Sequence, residues 1–331
     1  MSVSESFRPE VRAIADQIRP VLARMEEARM TAIRKRKQSW ILAGILAVIT
    51  LVAVMVINAS GGNHEGLMYA VGYGGAIITL LVAVMMGSGA KNRYLAMVKE
   101  EVFTAAVSRA VPGIDYKPFS MIPRKVFEHG GLFDSRIDKY FGEDCFAGKH
   151  GATNLTFSEL LVQRVETRSS PKGGVRTQTI TVFKGIYLVA DFHKEFACRV
   201  EIMPDVAEAT FGWLGRKMQG ISGNLVRLES PEFEKVFKVT SDDAVGARYL
   251  LTPEMQERFL ALRGEWSKDI RAVLMDSSLH LAIPNSKEWF EPRMDVPADD
   301  LPTLHGFLVQ LMLILKITET LDLDTRIWTK E

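Results

Sequence analysis

The sequence predicts an α+β protein: a two-helix transmembrane hairpin with cytoplasmic helical extensions, then a mostly antiparallel sheet domain covered by helices. Three observations carry that prediction. Two apolar runs, Trp40 to Ile57 and Leu67 to Met86, lie close together without a single charge. An apolar stripe at alternating spacings of four and three precedes the first run. Beyond Val111-Pro112-Gly113 the pattern changes to stretches rich in Thr, Val, Ile and Phe, interrupted by cap-then-proline helix starts.

Each apolar run is about 18–20 residues long, which at about 1.5 Å per residue spans a hydrocarbon core of roughly 30 Å. The first begins some way into the chain, behind a charged segment, and a second follows at once, which does not fit a cleaved signal peptide. Arg34, Lys35, Arg36 and Lys37 precede the first run, and Lys91, Arg93 and Lys99 follow the second. The connector has no Lys or Arg, so the positive-inside bias puts both termini in the cytoplasm. Trp40, Tyr69 and Tyr73 are placed as interfacial anchors. The absence of ionisable residues inside the runs counts against a transporter. Small residues, Ala43, Ala47 and Thr50 on one run and Ala70 and Gly74 on the other, allow the helices to pack on each other or on a second copy.

The upstream stripe is Phe7, Val11, Ile14, Ile18, Val21, Met25, Ala28 and Ala32, with Pro20 expected to kink or break the helix. Tyr94, Val98, Val102 and Ala105 form a matching stripe after the second run. These read as two antiparallel cytoplasmic helices, with self-association through a coiled coil as the sharper alternative. The expected organisation is a cytoplasmic amphipathic helix over 1–39, spans over 40–57 and 67–87, an external loop over 58–66, a cytoplasmic helix over 88–112 and the cytoplasmic α+β domain over 113–331.

Within that domain, 154–167 and 175–191 read as a long hairpin around Ser169-Ser170-Pro171-Lys172-Gly173-Gly174. Ile180, Val182, Ile186, Leu188 and Ala190 are expected on one face, with a bulge at Gly185. Residues 197–203 and the pair Val226/Leu228 suggest further strands, and 273–275 with 279–283 a second hairpin. Ser230-Pro231, Thr252-Pro253 and Ser241-Asp242-Asp243 mark helix starts, the last with Val245 and Tyr249 on one face. The apolar helix around Leu304–Ile317 is expected to cover the sheet rather than to span. A pleckstrin-homology-like barrel closed by that helix is an alternative.

Composition narrows the function classes. Of 331 residues, 47% are hydrophobic and 24% charged, which argues against disorder. Forty-one basic and 40 acidic residues leave a formal charge of +1, so no nucleic-acid partner is expected. Cys145 and Cys198 cannot make a disulfide framework, and a reducing compartment is the simpler reading.

The segment Gly142–Gly151 reads as the loop in which to look for a site, because it gathers Glu143, Asp144, Cys145 and His150 between glycines. Catalysis there would need Cys145 within reach of His150 or His193, with its thiol acidified. No metal-ligand spacing occurs, and no metal or cofactor is expected. Glu143, Asp144, Asp242, Asp243, Arg248 and Trp213 are candidate partner-binding residues, and Arg34, Lys35, Arg36 and Lys37 candidate contacts for lipid heads. Each also has a local structural explanation: a turn, a helix dipole, a topology signal.

Tyr140-Phe141-Gly142-Glu143-Asp144, Thr156-Phe157-Ser158-Glu159 and Phe183-Lys184-Gly185 resemble a bacterial membrane-anchored family, the domain of unknown function 3137. The block from Glu232 through Phe237-Lys238-Val239 and Ser241-Asp242-Asp243 to Thr252-Pro253 is similar to that family's most recognisable stretch. The resemblance implies a bacterial inner-membrane protein and no particular activity. The residues leave three readings: a non-enzymatic module binding a protein or lipid partner at the inner face, a tethered hydrolase or thiol enzyme using Cys145 with a histidine, and a subunit of an oligomeric transport assembly; a homo-oligomer is a further partner expectation.

Overall fold

The structure, a computed structural model, describes residues 8–59, 65–169, 175–191, 195–205, 224–321 and 323. These form two compact units. One comprises residues 1–106 with 292–306; the other comprises 107–291 with 307–331.

The first unit is helical. Helix α1 (Arg8–Gln17) stops at Ile18, and α2 runs unbroken from Arg19 to Ala59. Pro20 explains the break, since it sits in the first turn of α2, where its missing N–H costs no helical bond. Helix α3 (Glu65–Met97) continues through a π-helical turn (Val98–Phe103) into α4 (Thr104–Ala110). The expected stripe is buried at Val11, Ile14, Ile18, Met25 and Ala32, with Leu22 in the place of Val21 just after the break at Ile18. The π turn shifts the second stripe by one residue: Tyr94, Val98 and Val102 are buried, then Ala106 in place of Ala105.

Helices α2 and α3 pack closely, and glycines set the approach. A Cβ on Gly75 would lie 2.5 Å from Thr50, one on Gly72 3.6 Å from Val54, and one on Gly87 3.3 Å from the Ser39 hydroxyl. Ala43 and Ala83 are buried in the same seam. Gly74, by contrast, has open space around it, and Ala47 and Ala70 are exposed. Of the expected small-residue faces, Ala43 and Thr50 lie in the seam, and α3 meets them through Gly72, Gly75, Ala83 and Gly87. The large apolar side chains point outward, Ile49 at 58% and Leu80 at 64% exposure. Residues 292–300 return to α2: Glu26 pairs with Arg29 at 2.7 Å and accepts from the Ala298 N–H at 2.9 Å, and Arg29 donates to the Met294 carbonyl. Arg29 holds the Glu26 carboxyl below its usual range.

The second unit is built on a nine-stranded antiparallel sheet, order β1-β2-β3-β4-β9-β8-β5-β7-β6. Its strands are β1 Ile114–Lys117, β2 Lys139–His150, β3 Thr153–Ser169, β4 Val175–Asp191, β5 Val200–Pro204, β6 Asn224–Leu225, β7 Phe237–Ser241, β8 Arg271–Met275 and β9 Ser278–Pro284. The order ends at β1 and β6, so the sheet is open, which overturns the barrel alternative. The long hairpin is β3/β4; residues 170–174 of its expected connection lie outside the described residues. Its bulge sits at Val182, since Val162 pairs with Phe183 and Gln163 with Thr181. Gly185 has another role: at φ 150° a Cβ there would collide with the Ile283 carbonyl of β9. The β8/β9 hairpin turns through Asp276 and Ser277, both left-handed, the geometry of a type I′ turn. The strand expected around Val226/Leu228 is Asn224–Leu225, with Val226 adding one backbone bond to Val239.

Both faces of the central strands are buried, rather than the single face expected for β4: Ile186, Tyr187 and Leu188 in succession are inaccessible. On one face Tyr187 and Phe183 pack against Phe127 of α5 (Arg124–Gly130). On the other, Phe146 stacks on Phe157 at 4.6 Å and meets Phe290 and Phe307. Phe307 belongs to α9 (Leu301–Thr320), whose Leu308, Leu311, Ile314, Leu315 and Ile317 are buried. Three short helices follow their caps: α6 (Pro231–Glu234) from Ser230, α7 (Ala244–Leu250) from Asp243 and α8 (Pro253–Glu265) from Thr252. On α7 the residues facing inward are Ala247 and Leu250, while Val245 and Tyr249 face solvent.

Among the described residues three helices, not two, are long and apolar enough to cross a membrane: α2, the continuous helix Glu65–Ala110 and α9. Only 6% of the most apolar stretch is buried in each of the first two, against 44% in α9.

Candidate functional site

The segment Gly142–Gly151 is not a loop. Residues 142–150 are the body of β2, with only Gly151 in the turn to β3, and two of its glycines serve close packing: a Cβ on Gly142 would lie 2.5 Å from the Glu159 carbonyl, and one on Gly148 would strike the Gly113 carbonyl. The acidic residues sit on a bulge. Register jumps from Glu143 opposite Glu159 to Phe146 opposite Phe157, so Asp144 and Cys145 together face Ser158. Asp144 takes a left-handed backbone (φ 56°), which an aspartate tolerates better than most residues. Its N–H donates to the Pro118 carbonyl at 2.9 Å, and its fully buried carboxylate accepts the Tyr116 hydroxyl.

Around this bulge carboxylates converge. Oxygens of Glu143, Asp144 and Glu291 lie within 4.8 Å of one another. Glu159, buried on β3, accepts the Trp289 N–H at 3.1 Å. Burial pushes the Glu159 carboxyl up to about 7, with the charges of Asp144 and Glu143 adding to the rise and the Trp289 bond opposing it. Burial, and then the Asp144 carboxylate, push the Tyr116 hydroxyl far above its usual value. Chemically the group offers hard oxygen donors suited to a divalent cation or a basic side chain, and a carboxyl that exchanges its proton near neutral pH.

The remaining sequence-derived residues do not gather there. Cys145 is buried and burial pushes its thiol up, opposite to what a nucleophile needs. His150, five residues along an extended strand and so roughly 16 Å away, contacts Glu319 at 3.5 Å instead. Cys198 is likewise free and buried, its thiol raised by burial and by Asp243 and Asp242. Asp242 accepts the Arg199 N–H, Asp243 caps α7 on the Val245 N–H, and Arg248 donates to the Arg227 carbonyl. His193 and Trp213 lie outside the described residues. Arg34, Lys35, Arg36 and Lys37 form one exposed turn of α2.

Sequence reasoning missed Glu159, Glu291 and Tyr116 as members of the cluster. For Glu159 a signal existed: it shares strand parity with Leu155 and Phe157, so an acid occupied an inward-facing position. Nothing local marks Tyr116 or Glu291, which reach the bulge only through the fold.

Elsewhere on the sheet, His280 contacts the Tyr187 hydroxyl at 3.1 Å. Burial, with the neighbouring His129 and Arg199, lowers its imidazole to about 4.

The fold and this site define an α+β domain joined to long apolar helices, with an acidic bulge in place of a nucleophile–base pair among the described residues. Residues 181–323 match the family model described as protein of unknown function (DUF3137). The match takes in Phe183-Lys184-Gly185 and the Glu232–Pro253 block, whereas Tyr140–Asp144 and Thr156–Glu159 precede it. No curated protein and no solved structure matches the chain.

Proposed function

We propose that the chain is a membrane-tethered interaction module, held by α2 and α3 and presenting its sheet domain to a protein or lipid partner at the inner face of the membrane. The observation that carries this reading is the solvent preference of the hairpin. Its large apolar side chains point outward around a seam of glycine, alanine and serine, the arrangement that suits a lipid surround. The basic residues at 34–37, 91 and 93 flank both apolar stretches on the same side, which supports cytoplasmic termini. The buried, proton-retaining Cys145 and its separation from His150 support binding over thiol chemistry.

Alkaline carbonate extraction and labelling from outside intact cells test the tether and its orientation. An Ala59→Cys variant should react with a membrane-impermeant maleimide, and a Lys37→Cys variant only after permeabilisation. Release of the protein by carbonate, or the reverse labelling pattern, would overturn the proposal.

A further inference from the structure

Helices α2 and α3 touch where Gly87 meets Ser39, and immediately beyond that contact they leave a groove of about 910 Å³. The gap exists because the facing positions are small: Ala28 and Ala32 on α2, Gly89 and Ala90 on α3. Its walls are apolar at Met25, Met85 and Met97, and its polar edge carries Arg24, Lys35 and Arg93. Arg24 is spoken for, paired with Glu101 at 2.8 Å at the far end. Among the described residues Lys35 and Arg93 make no ion pair, and the acid nearest them in sequence along the lining of α2, Glu27, is eight residues or about 12 Å from Lys35. Lys35 lies one turn from Ser39, where the charged part of α2 gives way to the uncharged run that starts at Trp40.

We infer that this groove seats an anionic phospholipid, its phosphate between Lys35 and Arg93 and its acyl chains along the exposed apolar faces of the hairpin. The inference rests on the membrane-tethered reading and names a partner for it. Three features favour a lipid over a soluble phosphate. The groove is more apolar than polar, its lining carries two cations free of ion pairs, and at Gln38 and Met85 it adjoins the outward-facing Ile, Leu and Val surface of both helices. A basic pocket between helices at the cytoplasmic edge of a span is the recurring geometry for such head groups.

The test uses the full-length protein reconstituted in vesicles of equal phosphatidylglycerol and phosphatidylcholine, extracted in mild detergent, with the retained lipids quantified by mass spectrometry. Wild type should retain phosphatidylglycerol selectively, and millimolar inorganic phosphate should not displace it. Lys35→Gln/Arg93→Gln should lose that selectivity roughly thirtyfold, two basic contacts at about 1 kcal/mol each. Arg34→Gln/Lys37→Gln removes the same charge from the same level of α2 outside the groove lining and should cost less than threefold. Equal losses in the two variants, no selectivity in wild type, or displacement by inorganic phosphate would each overturn the inference while leaving the tether intact. Protein that washes off the vesicles at alkaline pH would overturn both.

Discussion

The two units solve opposite packing problems with the same residue types. In the sheet unit, large apolar side chains such as Phe146, Phe157, Tyr187 and Leu188 are inaccessible, with a few buried polar groups such as Asp144 and Glu159 among them. In the hairpin, Ile, Leu and Val of α2 and α3 face outward, and the seam is made of Gly72, Gly75, Gly87, Ser39 and Ala43. Hydrophobic burial drives the first arrangement. In the lipid surround proposed for the second it would not, because an apolar surround is as good as an apolar neighbour and close backbone approach takes over. Position in the molecule, more than hydrophobicity, therefore decides what a substitution should cost.

The largest contrast should come from truncating aromatics. Phe157→Ala is expected to destabilise the sheet unit by about 3–5 kcal/mol, read as a lowered Tm by near-UV circular dichroism. Leu80→Ala on the outer face of α3 should leave that transition unmoved. A comparable loss from Leu80→Ala would erase the distinction between the units.

A pH titration sharpens the same contrast, because Glu159 and His280, whose protonation folding shifts in opposite directions, both lie in the sheet unit. The Glu159 carboxyl titrates at about 7 folded against 4.5 unfolded, so the native state holds the extra proton. Its contribution is complete at low pH and is lost as pH rises from 4.5 to 7, up to about 3 kcal/mol in all. The His280 imidazole titrates at about 4 folded against 6.5 unfolded, and its contribution is lost as pH falls from 6.5 to 4. Between 4.5 and 6.5 the slopes oppose each other. Denaturant midpoints of the sheet unit should therefore show the Glu159 slope only above 6.5 in wild type. Glu159→Gln keeps an acceptor for the Trp289 N–H and should unmask the histidine slope, with stability rising through pH 4.5–6.5. An unchanged profile would show that the carboxyl is not the proton carrier.

Smaller effects probe the seam and the caps. Gly75→Val would push a branched side chain onto Thr50 and should weaken the α2–α3 pairing by about 1–3 kcal/mol, seen as lost disulfide crosslinking between Ser39→Cys and Gly87→Cys. The same change at Gly74, which faces open space, should be silent. Asp243→Ala removes the cap of α7 and should cost about 1 kcal/mol; hydrogen exchange at the Val245 amide would report it.

Legibility divided along the same line. The long apolar helices, the break at Pro20, the helix caps and the β3/β4 and β8/β9 hairpins were readable because each depends on neighbours within a few residues. The acidic bulge was readable only in part. Glu143 and Asp144 stood out by composition, but Gly142 and Gly148 resembled turn residues. Only the pairing of β2 with β3 and β1 shows them to be points where a second backbone passes too close for a side chain.

By itself, then, the sequence determined the α+β class and the two long helices with their uncharged apolar runs and basic flanks, because length, periodicity and charge are local quantities. Tertiary structure decided which small residues of α2 and α3 meet, since that depends on how the two helices pack side by side and not on the periodicity of either alone. It decided that Tyr116, Glu159 and Glu291 join Asp144, from strands and loops far apart in the chain. It also opened the groove beside Lys35 and Arg93, which depends on two helices running side by side and on neither of them alone.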